Sequence, residues 1–202
     1  MDALLEGYRR FRADVWPTER SRYQELSIEG QSPETLVIAC SDSRVDPQTI
    51  FGAVPGELFV VRNVAALVPP YEPDARYHGT SAAIEFAVRV LKVKRIVVLG
   101  HAQCGGVQAL LEGAPEEAGD FVRPWLQIAE PVKAQISSDL PRDERLLYGE
   151  EAAVRLSIEN LKTIPWIAEA VEAGRLTLEG YRFGIRTGVL TRLAGDHFEP
   201  VV

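Results

Sequence analysis

The sequence predicts an α/β fold: a central, mostly parallel sheet of about four strands with an antiparallel edge strand, flanked by helices and preceded by an N-terminal helical arm. Three observations carry this. Thr35–Cys40 (TLVIAC), Leu58–Arg62 (LFVVR) and Arg95–Gly100 (RIVVLG) are short continuous apolar runs, typical of strands buried on both faces. Between the last two, Ser81–Val93 places Ala82, Ala83, Phe86, Ala87, Val90 and Leu91 on one stripe of a helix. Buried strands alternating with helices indicate a parallel sheet. No repeat, low-complexity tract or linker interrupts the 202 residues, so a single domain is expected, with 1–30 as the arm and 31–202 as the core.

In chain order, Leu4, Leu5, Tyr8 and Phe11 recur at helical spacing, and Trp16-Pro17-Thr18 marks a break before a second helical segment reaching Ile28. Gly30 and Pro33 punctuate the approach to the first strand. After the third strand, Gly105-Gly106 opens a helix through Leu111, and 113–119 is an acidic loop. Helices are expected over 122–136, 144–163 and 167–173, the last stopped by Gly174. Leu176–Ile185 reads as another strand, and Thr187-Gly188 turns into a short final strand over 189–193.

A net charge of −7, with basic residues scattered singly or in pairs, argues against a nucleic-acid or anionic-membrane partner. No apolar run approaches the ~20 residues needed to cross a bilayer, and Met1–Arg12 lacks the apolar core of a signal peptide. A cytoplasmic protein is the expectation.

Both cysteines lie in runs that follow strands: Cys40-Ser41-Asp42-Ser43-Arg44 and His101-Ala102-Gln103-Cys104. Functional residues of parallel α/β sheets collect at the carboxyl ends of strands, so the two runs converge on one edge. Two thiolates, an imidazole and a carboxylate are the ligand types of zinc. Cys40, His101 and Cys104 provide three ligands, leaving the fourth position to Asp42, water or substrate. Two thiolates cancel the charge of Zn2+, so a bound water should be acidified less than at an all-imidazole site. Activity is then expected at mildly alkaline pH. Asp42 and Arg44, two apart on an extended segment, would point the same way, and the arginine could hold the carboxylate off the metal with two parallel hydrogen bonds.

Over Gln31–Leu111 the chain resembles the β-class carbonic anhydrases, in a plant-type-like subgroup. The resemblance is carried by CSDSRV (40–45), FVVRN (59–63), GTSAAIEF (79–86) and GHAQCGG (100–106), in the family's order and spacing. It implies one Zn2+ per chain on Cys40, His101 and Cys104, with Asp42 as a fourth ligand in closed forms and paired to Arg44 in active ones. The implied reaction is reversible hydration of CO2 to bicarbonate and a proton by a zinc-bound hydroxide. Asp42 and Arg44 are then the catalytic pair, and Gln31, Phe59, Phe86 and Gly105 belong to the substrate pocket. The resemblance also implies at least a homodimer with pockets completed across the interface. Three departures are visible: Phe86 where plant-type members have Tyr, Ala66 where an Asn is common, and Val37 where the bicarbonate-inhibited subgroup has Trp. The last implies that such inhibition is absent. Arg62 is shared by both subgroups.

Each residue also has a plain structural reading. Isolated cysteines are usually buried hydrophobes, Asp42 and Arg44 could be a loop ion pair, and Gln31 a loop hydrogen-bonder. Phe59 and Phe86 would ordinarily be core, and Gly105-Gly106 would serve close backbone approach. His78 and His197 lack partners at ligand spacing. Two other functions share the constellation: a CS2 or COS hydrolase, and a non-catalytic zinc-stabilised assembly module with Asp42 permanently on the metal.

Overall fold

The computed structural model describes residues 2–202; Met1, the first residue of the expected arm, lies outside the described residues. The strands are β1 (Thr35–Cys40), β2 (Leu58–Asn63), β3 (Arg95–His101), β4 (Thr177–Phe183), β5 (Leu190–Ala194) and β6 (His197–Pro200). They form one sheet in the order β2-β1-β3-β4-β5-β6. The first four are mutually parallel; β5 pairs antiparallel with β4, and β6 pairs antiparallel with β5.

The expected four parallel strands and antiparallel edge are present, and the sheet carries one strand more. β6 was missed because Gly195-Asp196 is a tight hairpin connection with Gly195 at φ 64°, a glycine-containing turn signal followed by only four strand residues.

The chain leaves β1 toward β2 on one side and reaches β3 on the other, so the order reverses between β1 and β3. Ligands of open parallel sheets bind in the crevice outside the strand ends at such a reversal. Cys40 ends β1 and His101 ends β3.

The helices are α1 (Ala3–Arg10), α2 (Trp16–Glu29), α3 (Pro47–Phe51), α4 (Gly79–Glu85), α5 (Gly105–Glu112), α6 (Val122–Leu126), α7 (Glu130–Gln135), α8 (Arg142–Lys162) and α9 (Pro165–Glu172). The predicted break at Trp16-Pro17 is a π turn over Phe11–Val15, across which helical backbone continues; the Trp16 N–H donates to the Phe11 carbonyl. Pro17 has no N–H, and at the first turn of α2 none is needed. The single helix expected over 122–136 is instead α6, a 3-10 turn and α7. Pro131 begins a new helix there because it cannot continue the old one.

One face of the sheet packs Leu36, Ile38, Ile96 and Val98 against Ile84, Val154, Ile158, Leu161 and Ile167 from α4, α8 and α9. Each such side chain contributes about 1.5–3 kcal/mol when fully buried. The close seat of α8 depends on two glycines. A Cβ on Gly100 or Gly180 would fall 2.5 Å or 2.8 Å from the methyls of Val154, so that valine sits in a notch only glycines leave open. At the carboxyl ends of the strands, Val45, Val107, Leu110, Leu126 and Val132 form a second cluster around Cys40 and Cys104.

The arm behaves differently. Neither α1 nor α2 contains a buried residue, and Leu4, Leu5 and Ile28 are 83%, 54% and 84% exposed. Its aromatic residues pack on one another, Trp16 against Tyr23 at 5.3 Å between ring centroids.

Candidate metal centre

β1, β3 and the N-cap of α5 deliver three ligand atoms to one point. The sulfur and imidazole nitrogen atoms of Cys40, His101 and Cys104 all lie within 4.8 Å of one another, and all three residues are buried. The two Sγ atoms are 3.9 Å apart, far beyond a disulfide and close to the ~3.8 Å edge of a tetrahedron with 2.3 Å metal–sulfur bonds. His101 Nδ1 meets the Ala102 carbonyl at 2.9 Å. Donation there leaves a lone pair on Nε2, which is buried and has no hydrogen-bond partner. An orphaned buried acceptor between two thiols fits a zinc ion, and the backbone bond that fixes the tautomer is a common companion of ligating histidines.

The electrostatics agree. A hydrogen bond from Cys104 holds the Cys40 thiol down to about 4, while the same bond and burial push the Cys104 thiol up. Burial alone would lower the His101 imidazole, but contact with Cys40 and the Ala102 carbonyl outweighs it and raises it. The backbone N–H groups of Gly106 and Val107, at the start of α5, favour the Cys104 thiolate.

Asp42 and Arg44 are not on an extended segment. Residues 42–45 form a turn, with the Val45 N–H donating to the Asp42 carbonyl at 3.2 Å. The Arg44 N–H donates to Asp42 Oδ1 at 2.9 Å, an aspartate-centred turn that brings the side chains together. Arg44 Nε and Nη2 then donate to Oδ1 and Oδ2 at 2.9 and 2.7 Å. This bidentate grip holds the Asp42 carboxyl well below the usual carboxylate range. Asp42 Oδ2 is 4.0 Å from His101 Nε2, so the carboxylate borders the ligand set while Arg44 holds it.

The loop carrying Cys40 and Asp42 is secured by Arg62, whose role the sequence left open. Its Nε donates to the Cys40 carbonyl at 2.9 Å, and its Nη2 donates to the Asp42 and Val45 carbonyls at 2.6 and 3.3 Å. Across the sheet from Cys40, Asn63 bonds both the N–H and the carbonyl of Leu67. That pins a turn in which Ala65 and Ala66 both have positive φ, 66° and 53°. Gly106 packs against this turn: a Cβ there would sit 2.8 Å from Val64 and 2.9 Å from Ala65. The expected close approach therefore belongs to Gly106, while Gly105 faces open space.

Residues 35–190 match the family model described as carbonic anhydrase, with Cys40, His101 and Cys104 inside the match.

The chain belongs to the β-class carbonic anhydrase family.

A chloroplastic β-carbonic anhydrase 5 of Arabidopsis thaliana is 38% identical over 185 residues, covering 89% of this chain; the chain spans 60% of that protein's length. A carbonic anhydrase of Pseudomonas aeruginosa is 38% identical over 199 residues, covering 96% of this chain and 88% of that one. Among solved structures, the β-carbonic anhydrase CcaA superposes with a TM-score of 0.91 at 32% identity, covering 98% and 91% of the two chains. A tetrameric β-carbonic anhydrase of Sordaria macrospora superposes at 0.82 and 32% identity, covering 95% of each.

As a β-class carbonic anhydrase, the chain places three expected pocket residues away from its own metal centre. Gln31 is exposed and precedes the amino end of β1, which alone spans about 17 Å. Phe59 pairs in register with Leu36, four positions before Cys40, or about 13 Å along the strand. Phe86 stacks on Phe59 at 5.8 Å between centroids and is 43% exposed. The family departures have physical readings. Ala66 occupies a left-handed position that asparagine tolerates better than alanine, and Val37 is fully buried among Ala39, Val97 and Leu99. His78, without a partner at ligand spacing in the sequence, meets Asp74 at 2.5 Å.

Sequence reasoning missed Glu150 and Arg182. Glu150, 3% exposed on α8, accepts from Arg182 Nε and Nη2 at 2.8 and 2.7 Å. Its Oε1 faces the Cys104 N–H at 3.4 Å. The one available signal was a glutamate on the apolar stripe one turn before Val154.

Proposed function

We propose that this chain catalyses the reversible hydration of CO2 to bicarbonate and a proton, with Cys40, His101 and Cys104 holding one zinc ion. The observation that carries the reading is the unpartnered, buried Nε2 of His101 facing two thiols, beside a carboxylate that Arg44 holds in place. Bound there, zinc supplies a Lewis acid that makes water a nucleophile near neutral pH.

The chain's own residues do the rest. Asp42, kept ionised by Arg44, accepts a hydrogen bond from the attacking water and aims its lone pair at the CO2 carbon. Arg44 positions Asp42, and Arg62 positions the backbone that carries both Cys40 and Asp42. The buried wall of Val45, Val107 and Leu110 excludes bulk water from the side of the site that the helices cover.

Gln31, Phe59, Phe86 and Gly105 form the substrate pocket in this proposal, the first three serving the site of a second copy. Two features support a homodimer or larger homo-oligomer: these residues lie away from the centre of their own chain, and the arm exposes Leu4, Leu5 and Ile28. Among the described residues no helix is long and apolar enough to cross a membrane. A site that uses both Cys40 and Cys104 as metal ligands needs them reduced, which suits a reducing compartment, and the protein is placed in the cytoplasm in this proposal.

The test is stopped-flow CO2 hydration by protein carrying one zinc per chain, at pH 7 and pH 8.5. Turnover rising with pH is expected; absence of turnover at both values overturns the proposal.

A further inference from the structure

One peptide group beside the metal centre is gripped from both sides. The Gln103 carbonyl accepts from Arg44 Nη2 at 3.2 Å. The N–H of the same peptide, that of Cys104, points at Glu150 Oε1 at 3.4 Å, the longest link of the set. Behind Glu150, Arg182 donates twice to Oε2, and beyond Arg44 lies Asp42. Five groups therefore stand in series: Arg182, Glu150, the 103–104 peptide, Arg44 and Asp42.

The fold places Glu150 for this contact. Val154 is locked in the notch of Gly100 and Gly180, and Glu150, four residues earlier, lies on the same helix face one turn nearer the strand ends. Arg182 is the register partner of Gly100, which brings no side chain of its own beside it. A structural ion pair would account for the burial of Glu150, at 3% exposure. It would not account for a carboxylate oxygen directed at the amide of a metal-ligand residue.

We infer that Glu150, oriented by Arg182, is a positioning residue for the Arg44–Asp42 pair, acting through the Gln103–Cys104 peptide. A peptide is planar, so holding its N–H also aims its carbonyl. A carboxylate on the N–H makes the carbonyl oxygen more negative, and hydrogen bonds in series strengthen one another in a low-dielectric interior. The carbonyl consequently anchors Arg44 more firmly. Gln103 has φ 56°, a strained value for a non-glycine residue. Turning the 103–104 peptide over, about ψ of Gln103 and φ of Cys104, would aim its carbonyl at the Glu150 carboxylate, so that charge holds the peptide in its present orientation. The inference rests on Arg44 being the group that holds Asp42 off the metal.

The experiment uses cobalt-substituted protein at one metal per chain, because the visible absorption of cobalt reports its ligand set. Wild type is compared with Arg44→Ala, Glu150→Gln and the double variant, with melting temperature measured on each. The expected result is a band change in Glu150→Gln in the same direction as in Arg44→Ala, with no further change in the double variant. In the zinc forms, kcat of Glu150→Gln should fall about 10- to 100-fold. A lowered melting temperature with a wild-type cobalt spectrum in Glu150→Gln, alongside a changed one in Arg44→Ala, makes the pair merely structural and overturns the inference. An unchanged spectrum in Arg44→Ala overturns it too, and with it the reading of Arg44 on which it rests. Should Glu150→Gln fail to fold, Arg182→Lys, which keeps the charge and loses the fork, is expected to shift the bands less and in the same direction; a wild-type spectrum there has the overturning force.

Discussion

Arg44 holds Asp42 through three hydrogen bonds of 2.7–2.9 Å, two from its guanidinium and one from its own backbone N–H. The carboxylate so held stands 4.0 Å from the unpartnered nitrogen of His101. It is near enough to orient a reacting water and is kept off the ligand set by its partner.

Replacing Asp42 by Ala should therefore remove activity while sparing the metal. We expect kcat/KM for CO2 hydration to fall about 10²- to 10⁴-fold, with zinc content staying at one per chain by elemental analysis. Loss of zinc together with activity would instead make Asp42 a required ligand, as in the assembly-module reading.

The Asp42–Arg44 pair has a pH signature in the zinc-free protein. Arg44 lowers the folded-state value of Asp42, so the pair's stabilisation is fully present above the ordinary carboxylate value near 4 and is lost as pH falls through the lower folded value. Urea unfolding of wild type and Arg44→Ala should show a stability gap that is constant from pH 7 to about pH 5 and narrows toward pH 3. The gap will be small, because Arg44 is about half exposed.

Gly106→Ala should damage the centre through packing alone. The added methyl meets Val64 at 2.8 Å and Ala65 at 2.9 Å, with the Ala65 backbone nitrogen at 3.2 Å. A turn already holding two alanines at positive φ has little room to yield. A loss of about 1–3 kcal/mol is expected in denaturant titrations, with weaker zinc retention, because Cys104 is the N-cap of α5. Gly105→Ala meets nothing within 4 Å and serves as the control.

Removing zinc with a chelator should lower the melting temperature by about 10 °C, given ~4 kcal/mol of ligand stabilisation when metal is 1,000-fold above Kd. Re-addition should release protons, chiefly from Cys104, whose thiol is raised by its bond with Cys40. Calorimetry in buffers of different ionisation enthalpy measures that release, and affinity should rise with pH across the neutral range.

Subunit exchange tests where Gln31 acts. Gln31→Ala and Cys104→Ala should each be inactive or nearly so. If Gln31 serves the neighbouring site, mixing and re-annealing them restores one complete site in each mixed dimer, or about a quarter of wild-type activity overall. No recovery in mixed dimers confirmed by mass spectrometry would place Gln31 outside the partner's pocket.

The legible parts were those governed by short-range pattern. Continuous runs such as Thr35–Cys40 and Arg95–Gly100 have the length of doubly buried strands, and their ends carry the ligands, so the α/β class and the Cys40, His101 and Cys104 set follow from local spacing and the strand-end rule. Less legible were features set by one residue in context. Pro17 reads as a break yet begins α2 after a π turn, and Gly195-Asp196 turns a tail into β6. The Arg62 clamp was invisible because its acceptors are backbone carbonyls, which have no signature in residue type.

The sequence alone thus determined the strand-and-helix alternation, the ligand types and the pairing of Asp42 with Arg44, because side-chain period and donor chemistry are local properties. Tertiary structure decided which groups surround them. The turn through which Arg44 grips Asp42 is held from outside by Arg62 on the Asp42 and Val45 carbonyls, and whether Gln31, Phe59 and Phe86 reach their own centre depends on strand register. Whether Glu150 meets the Cys104 amide depends on the rotation and height of α8 over Gly100 and Gly180. Those quantities are fixed by close packing between segments distant in sequence, such as Gly100, Val154 and Gly180, where no local pattern reaches.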